Sequence, residues 1–499
     1  MPDKNQRSQR FEATSRVAVS QDRLFAYHAA PGALSRLIPP WDNVVVESSD
    51  GSLEPGSRVV LKMKVGPVPL RWVAVHGDFD PPDSFVDVQQ SGPFAYWHHR
   101  HLFSTVAADP VDFGSQTRPP ERSLLTDQID YRLPLGWAGK AVMGASVRRQ
   151  LETMFAYRHR VTREDLEMFD KYALPPSSVA VSGATGLVGT ELCSLLGLAG
   201  HRVTRLVRKI DQATDPGTDE ISGQAACERR VAVWHDEAEA RRLEATDAVI
   251  HLAGKSIADQ RWSESVKRSI RESRVIPTRQ LCESLARLER PPATLICASA
   301  TGIYGDRGDQ WVDETSELGS DFLAGVGRDW EAACQPAVEA GIRVVHVRFG
   351  IVLSPRGGAL AKLLTPTKLG LGGRLGSGKQ WWSWVGIDDV VGAIYHALAV
   401  PEVRGPVNVV APNPVTNAEF TGLVGSVLRR PTLLPAPAFA LRVALGEMAD
   451  ALLLSSTRVR PRRLQETGYE FRQPDLRGCL EQLLGRDQSG GKSANGSTT

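Results

Sequence analysis

The chain has 499 residues, of which 42% are hydrophobic and 23% charged, a composition typical of soluble globular proteins and not of disordered or fibrous ones. At about 150 residues per domain, this length predicts two or three domains. Lysine and arginine (59 together) nearly balance aspartate and glutamate (57 together), so the net charge does not indicate nucleic acid or an acidic membrane as a partner.

The N-terminus and the cysteines indicate a cytoplasmic protein. Residues 1–10 are polar and charged, without the apolar segment of a signal peptide. The six cysteines form no C-x-x-C pair, and none precedes Cys193, which fits reduced thiols in a cytosol. The most apolar stretch, 433–454, is broken by prolines and charged residues. It predicts a turn and an amphipathic helix, so we expect no membrane span.

Residues 9–172 have the pattern of an α+β domain. Alternating apolar runs at 58–65 and 70–75 predict strands of an antiparallel sheet. A helical pattern at 141–160 would cover this sheet with one apolar face. The apolar positions of that face are Val142, Met143, Val147, Leu151, Met154 and Phe155. Two prolines and two serines within 173–178 predict a linker to the next domain.

Three histidines, His98, His99 and His101, lie close together in this first domain. Imidazole is a common metal ligand. On a strand, however, His99 and His101 face one side and His98 faces the other, and no acidic or cysteine partner is near them in the sequence. We therefore expect polar wall or surface residues here, and no metal site.

The most informative motif is the glycine loop that follows the linker, Gly183-x-x-Gly186-x-x-Gly189, between an apolar strand and an apolar helix. In a dinucleotide-binding loop the first glycine permits the turn, the second lets the pyrophosphate approach, and the third lets the helix pack on its strand. The N–H groups at the start of the helix then face the phosphates. The predicted cofactor contacts in this loop are Gly183, Thr185, Gly186, Leu187, Val188 and Gly189.

From residue 179 onward strands and helices alternate, which predicts a doubly wound parallel sheet. Its later strands are expected at 201–207, 248–252, 294–299 and 343–348. An insertion at 211–224, rich in Asp, Thr and Gly, reads as a surface loop. A polar tail at 485–499 is expected to be disordered.

The end of the second parallel strand bears on the choice between NADP and NAD. An acidic residue at this position binds the adenosine ribose and would repel a 2′-phosphate. Here the strand ends in Arg208 and Lys209, which favours NADP, with NAD less favoured. The alternative is that both cations are a solvated strand end.

A second predicted cofactor contact is the sequence His251, Leu252, Ala253 and Gly254 after an apolar strand. The small Ala253–Gly254 pair would let the adenosine and its ribose rest on the backbone. The alternative is an ordinary exit from strand to loop.

Further motifs follow the glycine loop in a fixed order. They are 251–254, 261–262, 273–275, 299–305, 322–324, 330–331, 348–353, 357–360, 370–373, 376–380 and 384–389. Together with the loop they resemble the atypical short-chain dehydrogenase/reductases called epimerase family proteins, over essentially all of 179–484. The resemblance implies an α/β Rossmann domain at 177–395, a doubly wound parallel sheet that binds NAD(P), and a small C-terminal substrate lobe at 396–484.

The first domain, 9–172, resembles the polyketide cyclase/START-like (SRPBCC) superfamily, found fused to this family. The resemblance rests on the pattern of several strands and one long terminal helix, and on the sequences at 94–101, 127–131 and 155–160. It implies an α+β helix-grip fold that usually encloses an apolar pocket.

The resemblance also bears on catalysis. Active extended members use a Ser or Thr that orients the substrate, a Tyr that acts as acid/base and a Lys that lowers the pKa of the Tyr. Ala300, Phe322 and Val326 occupy these positions, so all three functional groups are absent. The atypical branch is similar in lacking the Tyr/Lys pair. Thr301 and Tyr304 are the candidate replacements.

Tyr304 has an alternative role to catalysis, because it could be a packed residue whose hydroxyl is satisfied. Ser299 is expected beside the cofactor. The predicted substrate-pocket residues are Lys379, Trp384 and Asp388, although Lys379 could instead only cap its loop. Lys255 and Gly386 depart from the residues usual in the branch, an acid and a His.

We therefore expect an NADP-binding protein that is an oxidoreductase or epimerase acting on an unidentified small molecule, with hydrophobic molecules as candidates. The alternative is a non-catalytic, NADP-responsive binding or regulatory protein, because binding a dinucleotide does not require using it. The sequence specifies neither the substrate, nor the direction of hydride transfer, nor the oligomeric state.

Overall fold

A computed structural model of the chain describes residues 8–65, 68–106, 122–134, 136–207, 227–231, 234 and 237–486. The predicted insertion 211–224, the cations Arg208 and Lys209, and nearly all of the predicted disordered tail 485–499 lie outside the described residues.

The first part of the chain forms a seven-stranded antiparallel sheet. Its strands are β1 (Gln9–Val17), β2 (Val45–Ser49), β3 (Arg58–Val65), β4 (Val68–Asp80), β5 (Ser84–Ser91), β6 (Tyr96–Val106) and β7 (Arg122–Arg132). Their order in the sheet is β1-β7-β6-β5-β4-β3-β2. The helices of this part are α1 (Gln21–Ala29), α2 (Ala33–Leu37) and α3 (Gly136–Tyr172). The strands predicted at 58–65 and 70–75 are confirmed as β3 and part of β4.

Helix α3 packs across the sheet as the predicted helix-grip domain requires. Its Leu151 and Phe155 are buried with Phe11 of β1, and the rings of Phe11 and Phe155 lie 5.4 Å apart. The prediction was wrong at Val142, whose side chain is 83% exposed, and at Met143, which is also exposed. The first turns of α3 extend beyond the sheet, so apolar spacing there does not correspond to a buried face.

The histidines of β6 alternate as expected but have acidic partners. His99 and His101 are buried on the inner face of the sheet, whereas His98 lies on the other face and is half-buried. The expectation that no acid is near them was wrong, because Asp87 of β5 and Asp127 of β7 lie opposite them in neighbouring strands. Strand pairing brings together residues that are 14 to 28 positions apart in sequence.

The remainder of the chain is built around a second sheet. Its strands and the short strands near it are β8 (Ser178–Ser182), β9 (Arg202–Leu206), β10 (Cys227–Val231), β11 (Ala248–His251), β12 (Thr294–Ala300), β13 (Trp311–Val312), β14 (Arg343–Phe349), β15 (Ile351–Ser354), β16 (Trp381–Trp382), β17 (Trp384–Gly386), β18 (Gly405–Val409), β19 (Val415–Thr416) and β20 (Arg458–Val459). The large sheet is parallel, in the order β10-β9-β8-β11-β12-β14-β18. This is the strand order of a Rossmann fold. The strands remain parallel, but the direction in which successive strands are added to the sheet reverses between β8 and β11, the switch point of the sheet.

Helices cover this sheet and form the C-terminal part. They are α4 (Leu187–Leu198), α5 (Glu237–Ala240), α6 (Glu264–Ala286), α7 (Phe322–Ala332), α8 (Gln335–Glu339), α9 (Gly358–Lys368), α10 (Ile387–Ala399), α11 (Asn417–Leu428), α12 (Ala438–Leu445), α13 (Glu447–Ala449), α14 (Arg462–Glu466) and α15 (Leu476–Leu483), with 3-10 turns at Arg241–Leu243 and Thr301–Tyr304 and a π-helical turn at Asp450–Leu454. The predicted fold class, a Rossmann domain preceded by an α+β domain, is confirmed.

The boundary predicted between 395 and 396 does not match this architecture. It falls inside α10, and it would separate β18 from the sheet that this strand completes. The sequence pattern missed β18 because the strand is short and begins Gly405-Pro406, residues that are rare in strand interiors. We place the end of the Rossmann domain after β18.

A buried ion-pair network joins the two parts of the molecule. Arg36 of α2 is 1% exposed and pairs with Asp165 of α3 at 2.9 Å and with Asp388 of α10 at 2.7 Å. Arg472, from the C-terminal part, also pairs with Asp165 at 2.8 Å. Asp165 therefore sits between guanidinium groups from both parts.

No helix among the described residues is both long and apolar enough to cross a bilayer.

Candidate functional site

The glycine loop joins β8 to α4 and adopts a conformation that requires glycine at two positions. Gly183 has φ +68°, in the left-handed region, and a Cβ there would lie 2.9 Å from the carbonyl carbon of Leu252. A Cβ on Gly189 would overlap the carbonyl oxygen of Gly183. The helix can therefore pack this closely against its strand only with glycine at both sites.

The first turn of α4 offers donors to an anion. The backbone N–H groups of Leu187, Val188 and Gly189 donate no hydrogen bond to any described residue, as expected for the first turn of a helix. Gly186 is the N-cap and provides no side chain to satisfy them, and it lies exposed beside Thr185. Unpaired N–H groups and the positive end of the helix dipole together form an anion-binding surface.

The exit of β11 faces this loop across the switch point of the sheet. Leu252 and Ala253 pack against Gly183, and Gly254 is exposed. The backbone N–H of Leu252 donates to the carbonyl oxygen of Ser182 at 3.2 Å. In sheets of this topology the crevice between these two strand ends is where a dinucleotide binds.

His251 lies at the end of β11 but points into the protein. Its side chain is fully buried between Ser182 Oγ (2.6 Å from Nδ1) and Thr278 Oγ1 (2.9 Å from Nε2). Burial lowers the pKa of His251 to about 4. The residue thus positions the two strand ends, and the expectation that His251 itself contacts the cofactor is not supported by this placement.

Arg274 of α6 is a crevice residue to which sequence reasoning assigned no role. Its guanidinium approaches Gly254, with Cζ 3.4 Å from where a Cβ would stand, and lies over the Trp330 ring at 5.1 Å. Burial lowers its pKa to about 10, and it forms no ion pair within the described ranges. The motif at 273–275 was the available signal, but only the fold shows that Arg274 faces the crevice.

Ser299 and Tyr304, at the end of β12, belong to one buried network. Ser299 Oγ donates to Glu331 at 2.7 Å, and Arg348 pairs with both oxygens of that carboxylate at 2.8 Å. Arg348 also donates to the Tyr304 hydroxyl at 2.9 Å, and that hydroxyl donates to Asn408 at 2.7 Å.

This network argues against the predicted roles of both residues. Tyr304 is 0% exposed, and burial raises its pKa to about 12, so a catalytic proton transfer by this phenol is not supported. Ser299 is buried with its hydroxyl engaged, and direct contact with a cofactor is not supported either. Burial alone would raise the pKa of Glu331, but its bonds to Arg348 outweigh burial and lower it.

Thr301 lies directly after the C-terminal end of β12. It is half-buried next to the exposed Ala300, and its hydroxyl donates to the Phe349 carbonyl at 3.3 Å. Phe322 and Val326, at the positions of the usual Tyr and Lys, lie on α7, where Val326 is buried and Phe322 packs edge-on against Trp262 at 5.1 Å. Both residues at these positions therefore belong to an apolar cluster with Trp262.

The three predicted substrate-pocket residues do not lie together. Trp384 is fully buried and its indole N–H donates to the Asn413 carbonyl at 2.9 Å, so it is a core residue. Asp388 pairs with Arg36 between the two parts of the molecule. Lys379 is exposed on its loop. Since Trp384 and Asp388 are buried against other partners, their placement does not support a pocket shared with Lys379.

Gly386 is not a pocket residue either. It is buried at the N-cap of α10, and a Cβ there would overlap Oε1 of Gln473. Lys255 is exposed, with Nζ 3.2 Å from Ser269 Oγ.

Comparisons with known proteins agree with this architecture. The model of the NAD dependent epimerase/dehydratase family matches residues 179–410, and that of a domain of unknown function (DUF1731) matches residues 436–483. An epimerase family protein of Mycobacterium bovis is 42% identical over 296 residues, 59% of this chain and 93% of that protein.

Two solved structures extend the comparison. The crystal structure of a nucleoside-diphosphate sugar epimerase from Corynebacterium glutamicum is similar over 96% of this chain and 91% of that chain, with a TM-score of 0.75 and 33% identity. The human epimerase family protein SDR39U1, in a crystal structure with NADPH, is similar over 61% of this chain and 98% of that chain, with a TM-score of 0.55 and 32% identity. The first similarity includes the antiparallel sheet, because it spans nearly the whole chain.

Proposed function

The chain belongs to the NAD dependent epimerase/dehydratase family, among its epimerase family proteins, and on this basis we propose that the crevice between β8 and β11 binds NADPH. The observation that carries the proposal is the glycine loop. There Gly183 and Gly189 have no room for a side chain, and the N–H groups of residues 187–189 have no hydrogen-bond partner among the residues that the structure describes. The backbone there would hold the pyrophosphate, and Ala253 and Gly254 would support the adenosine ribose.

Three observations support NADPH over NADH. The human relative's structure contains NADPH. Arg208 and Lys209 occupy the position at which NAD-specific folds carry an acid. Arg274 adds a partly buried guanidinium, without a carboxylate partner in the described part of the chain, at the edge of the same crevice.

The proposed activity is that of an oxidoreductase or epimerase on a small molecule. NADPH, when bound, supplies a hydride. Thr301, half-buried at the end of β12, would orient a substrate oxygen through its hydroxyl. Tyr304 would act only as a positioning residue, because its hydroxyl is shared by Arg348 and Asn408.

A cavity in the antiparallel domain supports a second ligand. It has a volume of ≈ 230 Å³ and is lined largely by apolar side chains. These include Leu37, Leu53, Trp72, Phe85, Trp97 and Met154. We propose that this START-like domain binds a small, mainly hydrophobic molecule, as a substrate store or as a sensor for the Rossmann domain.

A non-catalytic, NADPH-responsive protein is the second candidate. The apolar residues Phe322 and Val326, at the positions where a Tyr/Lys pair would act, favour it because neither side chain can transfer a proton. The two candidates differ in turnover: oxidation of NADPH upon addition of small carbonyl compounds supports the enzyme, and tight binding without oxidation supports the second candidate.

Titration of the intact chain with NADPH and NADH, followed by protein and nicotinamide fluorescence, tests the binding proposal. We expect NADPH to bind more tightly than NADH. Gly189→Ala should abolish measurable NADPH binding, because the added methyl forces α4 away from the Gly183 carbonyl.

The matched control is Gly422→Ala. Gly422 is an exposed residue of α11 with no atom within 4 Å of the added Cβ, so this change should leave NADPH affinity unchanged and stabilise the helix by roughly 0.5–1 kcal/mol. Equal or tighter binding of NADH would refute the preference, and unaltered NADPH binding by Gly189→Ala would refute the site.

A further inference from the structure

The wall of the cavity in the antiparallel domain carries a cluster of histidine and aspartate side chains that the proposed function does not use. Strand pairing creates it: Asp87 of β5 lies opposite His76 of β4 and His99 of β6, and His101 of β6 lies opposite Asp127 of β7. These residues therefore share the inner face of four adjacent strands.

Three of these residues offer ligand atoms at a common point. A carboxylate oxygen of Asp87 and one ring nitrogen each of His99 and His101 all lie within 4.8 Å of one another. Oδ2 of Asp87 is 3.3 Å from Nε2 of His101 and 4.0 Å from Nδ1 of His99. Two donors that bind a tetrahedral Zn²⁺ at about 2.1 Å are themselves about 3.4 Å apart, so only small side-chain shifts are needed.

The opposite ring nitrogens meet a second carboxylate. Nε2 of His99 hydrogen-bonds Oδ1 of Asp127 at 2.8 Å. Nδ1 of His101 lies 2.7 Å from the same oxygen as an ion pair, without the geometry of a hydrogen bond to any described residue. Asp127 is buried and does not line the cavity. Metal-binding histidines commonly direct their other ring nitrogen to an outer carboxylate in this way, which fixes the tautomer and the ring orientation.

His76 adds a further imidazole to the cluster. Its Nδ1 lies 2.7 Å from Oδ1 of Asp87, the distance of an ion pair, although neither atom makes a geometrically satisfactory hydrogen bond within the described residues. Buried polar atoms are stabilised only when well-formed hydrogen bonds or ions compensate for their desolvation. A cation bound by Asp87 would supply that compensation, and His76 is placed to serve as an additional ligand.

We propose that Asp87, His99 and His101 bind a divalent transition-metal ion on the wall of this cavity, with Asp127 as the outer carboxylate. Two imidazoles and one carboxylate are a ligand set of Zn²⁺ and of non-haem Fe²⁺, and such sites keep coordination positions open. His76, Asp87, His99 and His101 all line the cavity, so the open positions face its interior.

The site defines the class of molecule that the cavity would take. Apolar walls surround most of the space, while the ion would accept an oxygen or nitrogen donor from the ligand. Arg158, also on the cavity wall, is half-buried, and its charge interacts with the carboxylates of Asp127 and Asp87. A small apolar molecule with one carboxylate, enolate or phenolate group fits both features.

Metal binding by the untagged, full-length chain tests the proposal. After chelator treatment, the chain is titrated with Zn²⁺ and, in parallel, with Co²⁺, whose visible absorption reports its ligands. We expect one equivalent of either ion to bind saturably, with the Co²⁺ bands of nitrogen and oxygen coordination. Loss of a carboxylate in the outer shell of a metal site costs about 10- to 100-fold in affinity. Asp87→Asn and His101→Gln each remove a direct ligand, so each should weaken metal binding by no less than this.

The matched control is His98→Gln, one residue from His99 but on the other face of β6. It should bind the ion as the wild type does. Far-UV circular dichroism and the midpoint of urea unfolding, measured in parallel, report whether each variant is folded. Absence of saturable Zn²⁺ and Co²⁺ binding by the wild-type chain overturns the proposal. This result does not depend on whether any variant folds. Unchanged binding by the Asp87 and His101 variants, or an equal loss in His98→Gln, also overturns it.

Discussion

At Arg274 a guanidinium group rests over the Trp330 indole and against Gly254, without a carboxylate partner in the described ranges. Burial disfavours the charge and lowers the pKa of Arg274 to about 10, so the group remains protonated at neutral pH. A cation that is partly desolvated and unpaired is most stable when an anion approaches it. The phosphates of a dinucleotide in the crevice would supply that anion.

Replacement of this side chain tests the role. Arg274→Gln should weaken NADPH binding about 10- to 100-fold, the equivalent of roughly 1.5–3 kcal/mol for hydrogen bonds to a charged group. Isothermal titration calorimetry gives the affinity. Arg268→Gln, an exposed arginine earlier on the same helix, is the control and should bind normally. Equal affinities for both variants and the wild type would remove Arg274 from the site.

At the scale of elements, a short polar chain ties β8, β11 and α6 together beneath the crevice. Ser182 Oγ accepts from the Leu252 N–H at 3.2 Å and bonds Nδ1 of His251 at 2.6 Å, while Nε2 of His251 bonds Thr278 at 2.9 Å. Thr278 donates to the Arg274 carbonyl and accepts from the Trp330 indole at 3.0 Å. The donors around it assign His251 as a neutral imidazole with its proton on Nε2.

This neutral histidine predicts a pH dependence. Its folded pKa of about 4 lies below the unfolded value of 6.5. Between these values the unfolded chain binds a proton that the folded chain does not, so stability decreases as the pH falls from 6.5 to 4. The contribution lost at about pH 5 is roughly 2 kcal/mol.

Unfolding by urea at about pH 7 and pH 5 measures the effect. In His251→Gln the decrease between the two pH values should be smaller than in the wild type by that amount. The same pH dependence in both proteins would show that His251 is not the titrating group.

At the scale of the whole molecule, the interface between the two domains depends on buried charge. Four buried side chains from different parts of the chain form a row in which the sign of the charge alternates. In spatial order they are Asp388, Arg36, Asp165 and Arg472. Burial would raise the pKa of Asp165, but Arg36 and Arg472 outweigh it and lower that pKa to about 2. The domains are therefore held in one arrangement by residues that cannot be removed singly without leaving an unpaired charge.

Removal of the central cation tests this coupling. Arg36→Met should lower the free energy of unfolding by about 3–5 kcal/mol, because the buried Asp388 loses its ion-pair partner and Asp165 is left with Arg472 alone. Arg23→Met removes an exposed ion pair with Asp170 and should cost at most about 1 kcal/mol. Chemical denaturation of both variants gives the comparison, and similar losses in the two would contradict a special role for Arg36.

The sequence by itself determined the Rossmann domain and the position of the glycine loop between β8 and α4. Apolar runs in the sequence located most strands of the parallel sheet, because such strands are buried on both faces and are therefore continuously apolar. Glycine at 183 and 189 identifies the loop because local backbone geometry excludes any other residue there. Apolar runs and the spacing of the glycines are local features of the chain, and the sequence displays them directly.

Only the tertiary structure decided what the polar residues do. Trp384, Asp388, Ser299 and Tyr304 have residue types that suit a site, yet the fold buries each against partners distant in sequence. His99 and His101 gained Asp87 and Asp127 only through strand register. A side chain's chemistry is set by burial and by charges within a few ångströms, and these arise from chain segments whose pairing the local sequence does not encode.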